Sequence, residues 1–302
     1  MTTINEIVIN FHMTEECNYR CGYCYATWEG NHSKAELHHS FGDIESLLLK
    51  LADYFFAENS LYHILNYTSV RINFAGGEPV MLGKRFVDAI LLAKSLGFRT
   101  SIISNGHLLS DKMMKRIAPH LDMLGLSVDT ADYLLAQSIG RVDRKNAWLS
   151  PVRATEIVKA YRLANANGTV KINTVVNAFN WREDISSLIS QLRPDKWKIL
   201  RVLPVYSTNL TVSERQYASY IKRHDAFSNI VTVENNADMW QSYLMLNPQG
   251  CFYQNTDTCN GLVQSPSVLD VGVGAALEHI DFNADTFAKR YSTAPLKVSE
   301  AS

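Results

Sequence analysis

No stretch of the 302-residue chain is apolar for long enough to span a bilayer, and residues 1 to 10 lack the basic start and apolar run of a signal peptide. Neither a membrane-embedded nor a secreted protein is expected. Charge of one sign is also missing: 29 Lys and Arg against 30 Asp and Glu leave a formal net charge of -1, with no general attraction to nucleic acid or membrane. Internal repeats and low-complexity tracts are absent as well. Cysteine is scarce, and five of them, an odd number with three close together, suit a reducing compartment rather than a disulfide framework. These absences point to a cytoplasmic chain, monomeric and forming one domain, long enough to bury a large core.

What is present begins with those three cysteines, in Glu16-Cys17-Asn18-Tyr19-Arg20-Cys21-Gly22-Tyr23-Cys24-Tyr25. A Cys-x3-Cys-x2-Cys run is one ligand short of a closed metal site. Three thiolates can hold three irons of a 4Fe-4S cube and leave the fourth iron open to a small molecule. The competing use of Cys17, Cys21 and Cys24 is a zinc site or a disulfide, and zinc wants a fourth ligand. Cys251 and Cys259 are far downstream with seven residues between them, and His12 belongs to the preceding strand. The segment closely resembles the cysteine motif of the radical SAM superfamily. That resemblance implies that the open iron takes the amine and carboxylate of S-adenosylmethionine. An electron from the cluster then releases a 5'-deoxyadenosyl radical, which removes a hydrogen atom from a substrate.

Short β-branched or aromatic runs alternate with longer amphipathic stretches, the pattern of repeated βα units and a parallel sheet. Strands are expected near 6–12, 70–75, 99–104, 122–128, 169–176 and 197–203. Helices are expected near 43–58, 84–96, 110–119, 151–167 and 183–192, with Asp43 and Asp111 as N-caps, Pro151 as a first helical residue, and Gly97 and Gly168 as stops. Six units without a seventh or eighth predict an α/β fold, a partial (βα)6 TIM-like barrel, which is also the radical SAM core. Residues 1–204 form that core, and 205–302 are a C-terminal extension closing its substrate side.

Active sites of parallel barrels lie at the C-terminal ends of the strands. There the second strand ends in Ala75-Gly76-Gly77-Glu78-Pro79, where paired glycines let backbone approach a ligand closely. On its own this would be an ordinary turn before a helix. Beside the cysteine run it resembles the superfamily segment that contacts the amine of S-adenosylmethionine. The next two strands end in Ser104-Asn105-Gly106 and Ser127-Val128-Asp129, short polar residues able to hold the ligand's carboxylate or ribose hydroxyls.

Strand alternation gives the sharpest clue to substrate. With Val70, Ile72 and Phe74 on one face, Arg71 and Asn73 fall on the other; Val170, Ile172 and Thr174 leave Lys171 and Asn173; Trp197 and Ile199 leave Lys196 and Lys198. Cations are thus aimed into an interior that would ordinarily be apolar. Burying them unpaired is costly, so an anionic ligand such as a triphosphate is expected, the alternatives being solvent-exposed strand ends or neutralisation by Asp and Glu of the extension.

Further segments narrow the resemblance to the viperin family. They are Asn10-Phe11-His12-Met13-Thr14, Arg71 to Pro79, Ile103-Ser104-Asn105-Gly106, Ile139-Gly140-Arg141, Lys171 to Asn177, Trp197-Lys198, Ser242-Tyr243-Leu244 and Leu269-Asp270-Val271-Gly272-Val273. The resemblance implies dehydration of a ribonucleoside triphosphate, CTP, UTP or GTP, to its 3'-deoxy-3',4'-didehydro product, an antiviral chain terminator. Carried over residue by residue, Arg71, Lys171, Lys196 and Lys198 hold the triphosphate, and Arg141 approaches it from the mobile loop 139–146. Asn10 and Asn173 position the ribose. Tyr243 is a late hydrogen or proton source; from pattern alone, core packing explains it as well. The one-electron donor is expected to be a flavodoxin or ferredoxin.

Animal members begin with a membrane-binding helix and end in a tryptophan, whereas this chain starts close to its first strand and ends in Lys297-Val298-Ser299-Glu300-Ala301-Ser302, so a prokaryotic type is expected. Arg71 and Lys196 each replace the other basic residue type of the animal proteins, keeping charge but changing hydrogen-bond geometry. A peptide-modifying radical SAM enzyme and a non-catalytic iron-sulfur protein are the other classes. His32, His38, His39 and His63 are expected to face solvent without special roles.

Overall fold

The computed structural model describes residues 4–24, 35–204, 208–255 and 262–291. His32 and Cys259 lie outside them. Six parallel strands run side by side in sequence order: β1 (Glu6–His12), β2 (Ser69–Ala75), β3 (Arg99–Ser104), β4 (Met123–Ser127), β5 (Thr169–Val176) and β6 (Lys196–Arg201). All six expected strands are present. Their outward residues build the core against the covering helices: Ile7, Ile9, Phe11, Ile72, Phe74, Val170, Ile172, Trp197 and Ile199 are all essentially inaccessible. In β5 the alternation is complete, with Val170, Ile172, Thr174 and Val176 buried and Thr169, Lys171, Asn173 and Val175 only partly so.

The five expected helices are found as Phe41–Phe55, Lys84–Ser95, Asp111–Ile117, Pro151–Ala164 and Ser186–Leu192. Pro151 does open its helix, and Gly97 follows the end of Lys84–Ser95 at φ +95, a conformation that suits glycine. The caps expected at Asp43 and Asp111 are instead Ser40 and Ser110, whose hydroxyls accept from the Asp43 and Met113 amides. A serine and a following acid both favour a helix start, and here the serine takes the cap while the acid supports the first turn. Gly168 lies past the actual stop, which is at Asn165.

The extension joins the same sheet from both sides. β7 (Val231–Glu234) adds parallel to β6, while β8 (Leu244–Leu246) adds parallel to β1 and is followed by antiparallel β9 (Cys251–Asn255) and β10 (Leu262–Ser267). The order is β10-β9-β8-β1-β2-β3-β4-β5-β6-β7, with no pairing between the two ends among the described residues. The partial barrel therefore remains open as a sheet, and β7 and β8 bring extension residues beside its first and sixth strands. At four and three residues they are too short for periodicity to reveal.

Candidate active site

The cysteine loop follows β1 directly, and its shape is set by contact with the ends of β2 and of the loop at Gly140. The Gly77 amide donates to the Thr14 carbonyl at 2.7 Å and the Glu78 amide to the Glu16 carbonyl at 2.8 Å. A β-carbon on Gly77 would lie 2.1 Å from the Glu16 oxygen, and one on Gly76 would lie 2.6 Å from the Thr14 oxygen. The paired glycines are thus required by the cysteine loop itself, before any ligand enters. On the opposite side the Arg20 and Gly22 amides donate to the carbonyls of Gly140 and Ile139. Gly140 has φ +79, and a β-carbon there would meet the Arg20 oxygen at 2.0 Å. Gly140→Ala is accordingly expected to cost at least about 1–3 kcal/mol of stability and to lower cluster occupancy, measured by thermal melting and iron content after reconstitution.

Cys17, Cys21 and Cys24 are all free thiols, Cys17 exposed and the others partly so. Burial pushes the partly enclosed Cys21 up to about 12, so its thiolate requires a compensating positive charge such as a metal's. The set fits an iron-sulfur cluster: three sulfur donors on one short loop, with the buried Asn18 Nδ2 lacking a partner beside them. Asn105 links the loop to β3, its Nδ2 donating to Asn18 Oδ1 at 2.7 Å and lying 3.9 Å from Cys17 Sγ.

Glu78 is fully enclosed, accepting from Ser104 Oγ at 2.8 Å, the Asn105 amide at 2.7 Å and the Val80 amide at 3.1 Å; burial still raises it to about 7. Its carboxylate ties the ends of β2 and β3 together. Ser104 and Asp129, expected to hold the cofactor directly, are engaged with protein partners. Asp129 accepts from the Val175 amide at 2.7 Å, from Tyr23 and from Arg141 at 2.8 Å. Arg141, expected to approach the triphosphate, is likewise engaged with protein partners. Its guanidinium pairs with Asp129, bonds the Ser127 carbonyl and stacks on Tyr19 of the cysteine loop at 5.6 Å. Burial opposes its charge, yet Asp129 beside it holds the guanidinium well above its ordinary value. The Ser127 hydroxyl makes no hydrogen bond among the described residues and lines a small cavity with Asp129, Tyr19 and Arg141.

Deeper in the barrel the inward residues form a polar chain. The Leu244 carbonyl accepts from Asn10 Nδ2 at 3.3 Å, Asn10 Oδ1 from Asn73 at 2.8 Å, Asn73 Oδ1 from Ser101 at 2.7 Å, and Ser101 from Arg71 at 2.7 Å. Arg71 ends it on Glu6 at 2.6 Å. Registers place Lys171 opposite Lys196 and Asn173 opposite Lys198. Lys196 is exposed, while Lys171 and Lys198 are partly buried. Lys171 has no hydrogen bond or ion pair among the described residues, and Asn173 Oδ1 is buried without a partner. Burial first, then the Lys198 charge, pushes the Lys171 ammonium well below its ordinary range.

The geometry thus joins a three-thiol loop to an interior cation group. Residues 11–186 match the radical SAM superfamily. A Pseudoalteromonas ulvae protein named S-adenosylmethionine-dependent nucleotide dehydratase is 65% identical over 299 residues, covering 99% of this chain and 97% of its own. The chain belongs to the viperin family of radical SAM enzymes. A second relative of the same name, from Psychrobacter lutiphocae, is 38% identical over 96% of each chain. The AdoMet-bound enzyme anSMEcpe has a TM-score of 0.63 at 13% identity, covering 97% of this chain and 84% of its own, a likeness of fold. As a radical SAM enzyme, this viperin-family chain uses a 4Fe-4S cluster and S-adenosylmethionine.

Two residues of the cation group were not foreseen. Glu234, closing β7, pairs with Lys198, and Arg290, from the helix Ala284–Tyr291, pairs with Glu234 in turn. Neutralisation by the extension is therefore real for Lys198. Burial works to raise Glu234, but the Lys198 and Arg290 charges overcome it and hold the carboxyl at about 2. Lys198 itself is lowered to about 8, because burial and the competing Arg290 outweigh its share of Glu234. Tyr243 joins this group, its hydroxyl accepting from Lys198 at 2.7 Å and donating to Glu234 at 2.6 Å.

The expected histidine roles need one correction. His38 is buried, with Nε2 on Glu36 at 2.6 Å and Nδ1 3.2 Å from Arg85, while Glu36 also accepts from Thr14 Oγ1 and the Glu15 amide. Glu36, His38 and His39 lie close enough to hold a metal, yet both Glu36 oxygens and both His38 nitrogens already have protein partners. The group braces the start of the cysteine loop.

Proposed function

We propose that the chain dehydrates a ribonucleoside triphosphate, CTP, UTP or GTP, to the 3'-deoxy-3',4'-didehydro nucleotide, a chain terminator made against viruses. The observation that carries this reading is the Lys171 ammonium, which lies among Lys198, Lys196 and Arg71 with no hydrogen bond or ion pair among the described residues and only the more distant Glu234 to offset it, together with the buried, unpartnered Asn173 oxygen. A polyanion with adjoining hydroxyls answers both needs. The names of the two bacterial relatives support it. When bound, the cluster and S-adenosylmethionine supply the carbon radical that removes one ribose hydrogen.

The chain's own residues determine which hydrogen is removed. Lys171, Lys196 and Lys198 hold the triphosphate, with Arg71 adding positive potential from the floor, where Glu6 pairs it. Asn10 and Asn173 orient the ribose, Asn10 fixed by Asn73 and the Leu244 carbonyl, Asn173 presenting a free oxygen. Tyr243 completes the reaction as a late hydrogen or proton source. The Ile139 to Asn146 loop, anchored at Gly140 on the cysteine loop, covers the cofactor end and limits water there. We place the enzyme in the cytoplasm as a monomer, reduced by a flavodoxin or ferredoxin; no helix among the described residues is long and apolar enough to cross a membrane.

The test is 5'-deoxyadenosine release under anaerobic, reducing conditions with CTP, UTP or GTP and with no nucleotide. One triphosphate is expected to raise release strongly and to yield a product lighter by one water. Equal release with and without every nucleotide would refute the reading.

A further inference from the structure

Glu234 is a buried acid that joins two cations to a tyrosine. Its Oε1 contacts Lys198 and accepts from Arg290 Nε at 3.0 Å, and its Oε2 accepts from Tyr243 at 2.6 Å and from Arg290. Arg290 also lies over the Tyr243 ring, 3.6 Å from its centroid, and donates to the Ser242 carbonyl at 2.9 Å. Since an ammonium can only donate, Lys198 fixes the direction of the Tyr243 hydroxyl: its oxygen receives Lys198 and its hydrogen goes to Glu234. The lysine within β6, the tyrosine before β8 and the helix Ala284–Tyr291 therefore meet on one carboxylate.

We propose that Glu234 is a positioning residue for the dehydration, with Arg290 holding it ionised and in place so that Tyr243 stays oriented when the triphosphate draws Lys198 away. The inference rests on the nucleotide reading above and adds a residue of the extension to it. One cation on Glu234 would be enough for the resting site, but Lys198 is also placed to bind phosphate. A lone carboxylate left in this buried position would be costly, and its hydrogen bond to Tyr243 would not persist. Arg290 removes that difficulty, because a guanidinium stays charged and binds the carboxylate through two nitrogens. Tyr243 can then keep one geometry through substrate binding, and its reaction with the sugar is tied to the docking of the C-terminal helix.

Three proteins test this: Glu234→Gln, which keeps shape and one acceptor but loses the charge; Arg290→Ala; and Arg290→Lys, which restores charge without the fork. With reductant, S-adenosylmethionine and whichever of CTP, UTP and GTP the unmutated protein turns over, product per 5'-deoxyadenosine is expected to fall by about tenfold in Glu234→Gln and Arg290→Ala. Arg290→Lys should recover part of it. A purely structural role would lower product and deoxyadenosine together and leave their ratio alone. A second readout needs no turnover. In protein labelled with 13Cζ-tyrosine, the Tyr243 resonance, identified by its loss in Tyr243→Phe, is expected to shift in both Glu234→Gln and Arg290→Ala before CTP is added. A tyrosine resonance and a product ratio unchanged in all three variants would overturn the proposal. Absence of binding and of product with each of CTP, UTP and GTP in the unmutated protein would instead overturn the nucleotide reading beneath it, and the two failures are told apart by that control.

Discussion

Cys21→Ala protein, reconstituted anaerobically with iron and sulfide, is expected to hold no 4Fe-4S cluster, and Cys17→Ala and Cys24→Ala to behave alike. Each removes one of only three sulfur donors on the loop, and the fourth iron has no protein ligand to substitute. Cys251→Ala is expected to keep the full iron content, since its thiol is buried on β9 and remote in sequence from the loop. Iron and acid-labile sulfide assays with the visible absorption band decide the matter. Loss of about four irons from Cys251→Ala, or tightly bound zinc in the native protein, would overturn the assignment. Without a cluster, 5'-deoxyadenosine should be undetectable, which makes this the largest loss expected of any single substitution.

Lys171→Met should show the second-largest effect, and in two opposite directions. Triphosphate affinity is expected to fall by about ten- to a hundredfold, the worth of a lost charge-assisted contact, while S-adenosylmethionine affinity changes little. The nucleotide-free protein is expected to melt at a higher temperature, because an unpaired, partly buried ammonium is replaced by an apolar chain of similar length. Protonation adds a third sign. Lys171 is depressed in the free protein and regains its ordinary charge preference beside phosphate, so CTP should take up protons on binding where free Lys171 is partly neutral. Calorimetry in buffers of different ionisation enthalpy measures that uptake, and Lys171→Met should abolish it. Equal losses for both ligands, or an unchanged melting temperature with full CTP affinity, would show that Lys171 has another role.

The parts of this protein that could be read from sequence are those with a repeating physical cause. Six strands were legible because each is five to eight residues long and places apolar side chains against helices at every second position. The same alternation put Lys171, Asn173 and Lys198 inside. It could not tell which charges would be paired, since pairing depends on residues distant in sequence: Glu6 reaches Arg71 across neighbouring strands, and Glu234 reaches Lys198 from the extension. Glu234 ends Val-Thr-Val-Glu, a run too short to declare its faces, and no local signal at Arg290 marks its partner. Arg141 was legible as a loop cation but its partner Asp129 was not, because a loop's landing point follows from tertiary contacts such as Gly140 on Arg20. The Gly76-Gly77 pair was found for its resemblance, while its steric reason emerged only with the Thr14 to Glu16 backbone beside it.

That steric reason also bears on how the cluster is acquired. Gly76 and Gly77 on one side and Gly140 on the other hold the backbone of residues 14–22 by hydrogen bonds and by contacts that leave no room for a β-carbon. Much of the ordering entropy of this nine-residue stretch, which carries Cys17 and Cys21, is therefore lost when the polypeptide folds, not when metal arrives. Iron and sulfide meet donors whose main chain is already shaped, so loading is a binding event on a folded scaffold, unlike small zinc domains that fold only around their ion. Demetallated protein should accordingly retain its sheet, and its empty thiols should be ready to take up a cluster again without passing through the unfolded state.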